Sequence, residues 1–202
     1  MLKVLGISGS PRRGGNSDML LQSILAGAKT AGAETEAVYL SKLSFRGCIG
    51  CEKCQQDGEC TGLRDDMQLL YPKITESRGI VLVCPTHNYN VTAWMKAFID
   101  RLYCYYKFGE ERPGDWSSRL AGQERKAVIV SIGEQSNHEE GVGFTLEAMR
   151  RPIEALGYEV TAELPVLGVF KKGDVSRAVL QQAEALGGQL AAQLKTTTPD
   201  LP

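Results

Sequence analysis

The chain has 202 residues, of which 43% are hydrophobic and 23% charged, with a formal net charge of -1 at pH 7. That length suits one domain of ordinary to large size spanning residues 1–202, and the composition is globular rather than disordered or fibrous. The near-neutral charge excludes nucleic-acid binding by bulk electrostatics, and no apolar stretch is long enough to cross a bilayer.

In chain order, the apolar start Met1-Leu2-Lys3-Val4-Leu5-Gly6-Ile7 is too short for the core of a signal peptide and runs directly into a glycine-rich turn. A cytoplasmic location is therefore expected, with no membrane partner. Residues 2–8 read as a first strand, and Leu20, Leu21, Ile24, Leu25 and Ala28 form a helical stripe with Asn16 or Ser17 placed to cap its start. A second strand is predicted over 34–40, a third over 79–84, a fourth over 125–132 and a fifth over 158–164. Between and after them lie further helical stripes: Met95, Phe98, Ile99, Leu102; Leu146, Met149, Ile153; Val175, Val179, Ala183, Leu186, Leu190. Long loops are expected over 41–62 and 103–122, which in a domain of this size are often functional, and a frayed tail is expected over 196–202.

Five Val/Ile/Leu-rich strands alternating with five helices predict an α/β protein: a flavodoxin-like three-layer sandwich with a parallel sheet in the order 2-1-3-4-5. A ligand then sits beyond the strand ends, at the switch point between strands 1 and 3. The segment Gly6-Ile7-Ser8-Gly9-Ser10-Pro11-Arg12-Arg13-Gly14-Gly15-Asn16-Ser17 joins strand 1 to the first helix and combines hydroxyls, glycines, arginines and a helix N-terminus, the chemistry of a phosphate site. The pattern G-x-G-x-x-G fails there, and strand 2 ends in Val38-Tyr39-Leu40-Ser41 with no acidic residue for a ribose, which disfavours a dinucleotide. Gly15-Asn16 stands where a Walker loop needs Lys and Ser or Thr, which disfavours a nucleoside triphosphate. A terminal monophosphate such as that of FMN remains. Across the switch point, Pro85-Thr86-His87-Asn88-Tyr89-Asn90 is placed to meet the edge of a flat ring, with Tyr89 able to stack on it. Ser131-Ile132-Gly133-Glu134 is placed as a third wall. His87 reads as an ordinary hydrogen-bonded loop histidine, with tuning of a flavin as the alternative, and His138 carries no assigned role.

Of six cysteines, Cys84 and Cys104 sit singly in apolar or aromatic surroundings and read as buried and structural. The other four, Cys48, Cys51, Cys54 and Cys60, have the spacing C-x2-C-x2-C-x5-C. Spacing this close favours an iron-sulfur cluster, with zinc and free or redox-active thiols as the alternatives.

These features together resemble a known family. Gly6 to Arg12, Gly15-Asn16-Ser17, Cys84-Pro85 and Lys96-Ala97-Phe98-Ile99-Asp100-Arg101 are similar to the NADPH-dependent FMN reductase and multimeric flavodoxin group, and the cysteine loop followed by Asp65-Asp66-Met67 resembles its iron-sulfur flavoprotein branch. The resemblance implies that Ser8, Ser10, Arg12, Asn16 and Ser17 hold the FMN phosphate, beside Pro11. It further implies that Pro85, Thr86, His87, Asn88, Tyr89 and Asn90, with Ser131, Ile132 and Gly133, line the ring, and that Cys48, Cys51, Cys54 and Cys60 hold a [4Fe-4S] cluster. The family often carries Tyr at the position of His87 and Gly at that of Tyr89, so the ring environment here departs from the usual one. The expected function is an FMN-dependent oxidoreductase or electron-transfer flavoprotein that exchanges electrons with a small-molecule or protein donor and acceptor, as a homodimer or homotetramer. The rivals are an NAD(P)H-dependent FMN or quinone reductase with structural cysteines and a non-catalytic phospholigand or zinc-binding module.

Overall fold

The structure is a computed structural model and describes residues 2–196. The chain runs β1 (Lys3–Ser8), α1 (Asn16–Thr30), β2 (Glu34–Tyr39), α2 (Lys53–Asp57), α3 (Leu70–Glu76), β3 (Gly79–Pro85) and α4 (Ala93–Arg101). It continues through β4 (Tyr106–Phe108), β5 (Trp116–Ser118), β6 (Arg125–Ile132), α5 (His138–Val142), α6 (Thr145–Ala155), β7 (Tyr158–Val166) and α7 (Arg177–Thr196).

Near-continuous burial of β1, β3 and β6 dictates helices on both sheet faces, because a strand alternates its side chains and both sets here are apolar. Leu5, Ile7, Ile80, Leu82 and Ile129 point into one core, closed by Leu70 and Ile74 of α3, Met95 and Phe98 of α4, and Met149 and Ile153 of α6. Val4, Val81, Val83, Val128 and Val130 point into the other, closed by Leu20, Leu21 and Ile24 of α1 and Leu190 and Leu194 of α7. The strands pair in parallel in the order β2-β1-β3-β6-β7, which is the predicted flavodoxin-like order once the two short strands outside the sheet are set aside.

Those two strands, β4 and β5, form an antiparallel hairpin within 103–122, and α2 lies within 41–62, so neither predicted loop is wholly irregular. Aromatic side chains of this segment pack on one another: Tyr106 meets Trp116 edge-on at 5.4 Å and Tyr103 lies 5.9 Å from Tyr106 and from Phe108. Two further expectations are corrected. The α1 N-cap is Gly15, with no side-chain cap; Asn16 is already helical and its amide serves another segment. Val175 precedes α7 rather than belonging to its stripe, although it is buried. Of the tail expected to fray, Thr196 closes α7, and 197–202 lie outside the described residues.

Buried Arg125, the first residue of β6, donates to the carbonyls of Ile74, Thr75 and Ser77 and so caps the C-terminal end of α3, where the helix dipole favours a cation. On the opposite face α1 and α7 cross at backbone contact. A Cβ on Gly27 would overlap the carbonyl of Glu184, and one on Gly187 that of Ile24. Gly187→Ala gains about 1 kcal/mol of helix propensity but must push two helices apart against a backbone that cannot yield. A net loss of about 2 kcal/mol is expected in urea unfolding. An unchanged or raised midpoint would contradict this packing.

Candidate functional site

Because β1 and β3 are adjacent and parallel, the chain leaves both on the same edge of the sheet and a cleft of about 170 Å³ opens between the two exits. Ser10, Pro11, Arg12, Asn16 and Ser17 line it from the first loop, Pro85, Thr86 and His87 from the second, and Ile132 and Glu134 from the end of β6. The N-terminal backbone N–H groups of α1, which have no intrahelical acceptor, receive no side-chain cap and give this end a positive potential.

Ser8 does not reach the cleft. It is fully buried and its Oγ donates to Asp18 Oδ1 at 2.9 Å, while Asp18 Oδ2 accepts the N–H of Gly14 at 2.7 Å. Asp18 thus holds the first loop in shape from below, with Gly14 in the left-handed conformation (φ 60). Asn16 reaches sideways: its Nδ2 donates to the Lys171 carbonyl at 2.8 Å and its Oδ1 accepts from Gly173 N–H at 2.8 Å. Arg12 donates to the Phe170 carbonyl at 3.1 Å and packs over the Phe170 ring. The segment that these two residues hold brings Val169, Phe170 and Lys172 into the cleft wall. The reading of the sequence missed this wall; the pair Lys171-Lys172 before a glycine, just past the last strand, was the available signal.

His87 and Asn90 exchange both backbone hydrogen bonds, at 2.8 and 3.0 Å, around Asn88 (φ 46) and Tyr89 (φ 63). Two successive left-handed residues are the geometry of a tight primed turn, where glycine is easiest to place. Tyr89 is therefore held in a conformation disfavoured for a bulky side chain, with its ring 57% exposed and its carbonyl accepting the N–H of Phe144 at 2.6 Å. Asn88, Tyr89 and Asn90 stand beside the cleft rather than in its lining, and so do Ser131 and Gly133. Ser131 is fully buried, and its Oγ has no partner.

One strand away, Cys48, Cys51, Cys54 and Cys60 all border a single small cavity with Arg101 and Tyr103. None is in a disulfide. Gly62 closes against Cys51, where a Cβ would overlap the sulfur, and Gly50 N–H donates to Cys48 Sγ at 3.4 Å. Burial raises the pKa of Cys54; a hydrogen bond from Gln55 opposes this, and repulsion from Cys60, Cys48 and Cys51 adds to it. Four thiols around one void are a donor set suited to a cationic core. Among the described residues, no three His, Cys, Asp or Glu side chains converge as ligands of a single metal ion. Elsewhere, burial pushes Cys84 up to about 11 and Cys104 up to about 12, the latter with help from Cys60 and Cys54, so both stay protonated and inert.

The loop is held from two sides. Arg112, between β4 and β5, forms a forked pair with Glu52 at 2.6 and 2.8 Å. From below, Arg101 at the end of α4 donates to Asp65 Oδ2 at 2.7 Å and to the Arg46 carbonyl at 2.9 Å.

A family model described as NADPH-dependent FMN reductase matches residues 2–142. The chain belongs to the NADPH-dependent FMN reductase family. As a member of that family it is an FMN-dependent oxidoreductase. It is 34% identical over 190 residues to an iron-sulfur flavoprotein of Archaeoglobus fulgidus, covering 94% of this chain and 79% of that one. To an iron-sulfur flavoprotein of Methanosarcina thermophila it is 36% identical over 100 residues, 50% of this chain and 52% of that one. Its fold is that of the NAD(P)H:quinone oxidoreductase of Methanothermobacter marburgensis, with a TM-score of 0.72 at 22% identity over 94% of this chain and 98% of that one. An FMN-dependent NADH-azoreductase of Bacillus anthracis superposes with a TM-score of 0.68 at 16% identity, over 96% and 99%. No helix among the described residues is long and apolar enough to cross a membrane.

In this FMN reductase family member two motif fragments that follow the cysteines, Asp65-Asp66-Met67 and Lys96 to Arg101, meet as the pair Asp65–Arg101, whose side chains are only 12% and 1% exposed. Burial opposes ionisation of Asp65, yet Arg101 and the N–H groups of Arg46 and Met67 hold its carboxyl below the usual range. Asp65→Asn leaves a buried cation without its counter-ion and should cost about 3–5 kcal/mol near neutral pH. A depressed folded pKa means that this stabilisation is complete above roughly pH 4, the unfolded value, and fades as pH falls through the lower folded value. Denaturant midpoints of wild type and variant should converge only below that window. A gap that persists unchanged to about pH 2 would show that the carboxylate charge is not what stabilises.

Proposed function

We propose that the chain is an iron-sulfur flavoprotein acting as one cytoplasmic domain over residues 1–202, with FMN in the cleft between β1 and β3 and a [4Fe-4S] cluster on Cys48, Cys51, Cys54 and Cys60. The observation that carries the flavin site is the uncapped N-terminus of α1, flanked by the cations Arg12 and Lys172, on a switch-point cleft. Ser17 adds a hydroxyl donor for a phosphate, Ser10 holds the Arg12 backbone beside it, and Thr86 and His87 face the place where a ring edge would lie. When bound, FMN supplies redox chemistry that no side chain here offers. Ile132, Val169 and Phe170 give one side of the cleft an apolar lining, and Glu134 offers it one carboxylate. A cluster reading of the thiols is supported by four closely spaced cysteines bordering one cavity. Thiols kept reduced in the cytoplasm suit such a group.

NAD(P)H fits as the donor by family membership. A homodimer or homotetramer is supported by the exposed rings of Tyr89, Trp94, Trp116 and Phe144, more aromatic surface than solvation needs.

The flavin assignment is tested by affinity. Arg12→Ala and Lys172→Ala should each weaken FMN about tenfold or more, the value of a charge-assisted hydrogen bond, while changing riboflavin little. Equal losses for the two ligands would remove the phosphate from this cleft. The cluster is tested by anaerobic reconstitution followed by iron and sulfide analysis, where wild type should bind both and Cys51→Ser should lose them. Stoichiometric zinc without sulfide would leave only the flavin reading.

A further inference from the structure

Arg101 carries an anomaly that the fold does not explain. It is one of the most deeply buried side chains of the protein, and three of its donor contacts are accounted for: Nη1 donates to Asp65 and to the Arg46 carbonyl, and Nε donates to Tyr71 Oη at 3.2 Å. Its Nη2 is buried and has no partner among the described residues. A charged donor stranded away from water costs more than an ordinary missed hydrogen bond, and a native protein keeps one only where something completes it.

The same side chain lines the cavity bordered by Cys48, Cys51, Cys54 and Cys60. The other polar side chains of that lining are already committed. Glu52 is neutralised by the Arg112 fork, and the Tyr103 hydroxyl donates to Glu52 at 3.4 Å while accepting from Arg112 at 2.8 Å. Arg101 is thus the lining side chain with a donor left over, in a cavity whose other notable atoms are sulfurs.

The geometry points to Arg101 as the residue that tunes the group held by the four cysteines: its free Nη2–H donates to a sulfur of that group and raises its reduction potential. This rests on the cluster reading above. The physical reason is charge. Four thiolates make the site anionic, and reduction by one electron adds another negative charge. A buried guanidinium that donates to sulfur favours the reduced form over the oxidised one, and hydrogen bonds to the sulfurs and net charge are among the main determinants of cluster potential. Arginine suits the position better than lysine because its planar fork serves Asp65 with one nitrogen and the cavity with another.

The test uses the anaerobically purified, cluster-loaded full chain. Wild type, Arg101→Lys and Arg101→Gln are compared by iron and sulfide content, by redox titration followed by electron paramagnetic resonance, and by the shift of the iron-sulfur stretching bands on transfer to heavy water. Full iron and sulfide are expected in all three. The cluster midpoint should fall to more negative potential in Arg101→Gln and by less in Arg101→Lys, and the heavy-water shift should shrink in both. The flavin midpoint should barely move. Arg101→Gln strands the buried Asp65 carboxylate and is at risk of misfolding, so Asp65→Asn/Arg101→Gln, which removes both charges together, is measured beside it and should show a lowered midpoint, by less than Arg101→Gln, with the same loss of heavy-water shift. Loaded variants with the wild-type midpoint and heavy-water shift would overturn the role of Arg101 and leave the cluster intact. Wild type that takes up no iron and sulfide would overturn the cluster reading, and the role of Arg101 with it.

Discussion

The parallel pairing of β1 with β3 is the constraint on which the rest of the molecule depends. Two adjacent parallel strands must release their chains at the same edge, so the loops that follow Ser8 and Pro85 have no choice but to face each other. The ladder continues past the strands, with Gly9 N–H donating to the Val83 carbonyl at 2.8 Å and Thr92 Oγ1 donating to the Gly9 carbonyl at 2.7 Å. Thr92 also caps α4, so one hydroxyl ties a helix start to the floor of the cleft. Placing β2 on the other side of β1 sends its exit, with the cysteines, to the same sheet edge, under α4 and the hairpin.

Leu43, Phe45, Cys54 and Cys60 pack the cysteine segment on the core, and ionic contacts add to that hold. They are unequal. Arg112 and Glu52 have side chains 41% and 48% exposed, and such a solvent-screened pair adds little stability, so its use is to orient the loop tip. Asp65 and Arg101 lie out of water, where removing either partner strands a charge. Asp65 also accepts from the N–H groups of Arg46 and Met67, so one carboxylate gathers the start of the cysteine segment, the turn that follows it and the end of α4.

Several residues of the motif turn out to shape the cleft as well as, or instead of, lining it. Ser8 serves Asp18, Asn16 serves the chain after β7, and Arg12 is oriented by the same strand exit. A sequence pattern records that a polar residue is needed at a position, and a hydroxyl that supports a loop leaves the same mark as one that touches a ligand. Tyr89 shows the converse. A left-handed turn that glycine would fill most easily holds a tyrosine here, so the surrounding structure fixes this backbone against the preference of its side chain.

The sequence by itself determined the five sheet strands, their parallel order and the place of the cleft, because β1, β3 and β6 are apolar on both faces and only helices on both sides bury such strands. It also marked the four thiols as one group, since their spacing is local. Only the tertiary structure decided what lies between distant segments. The chain after β7 must return to pack α7 on α1, and in doing so it carries Lys172 to a loop more than 150 residues earlier. The hairpin closes over Glu52, and Arg101 meets Asp65 from across 36 positions. Periodicity reports which face of an element is buried; it carries no information about which charged side chain, once buried, will find its partner, because that depends on the packing of elements whose order in space is not their order in the chain.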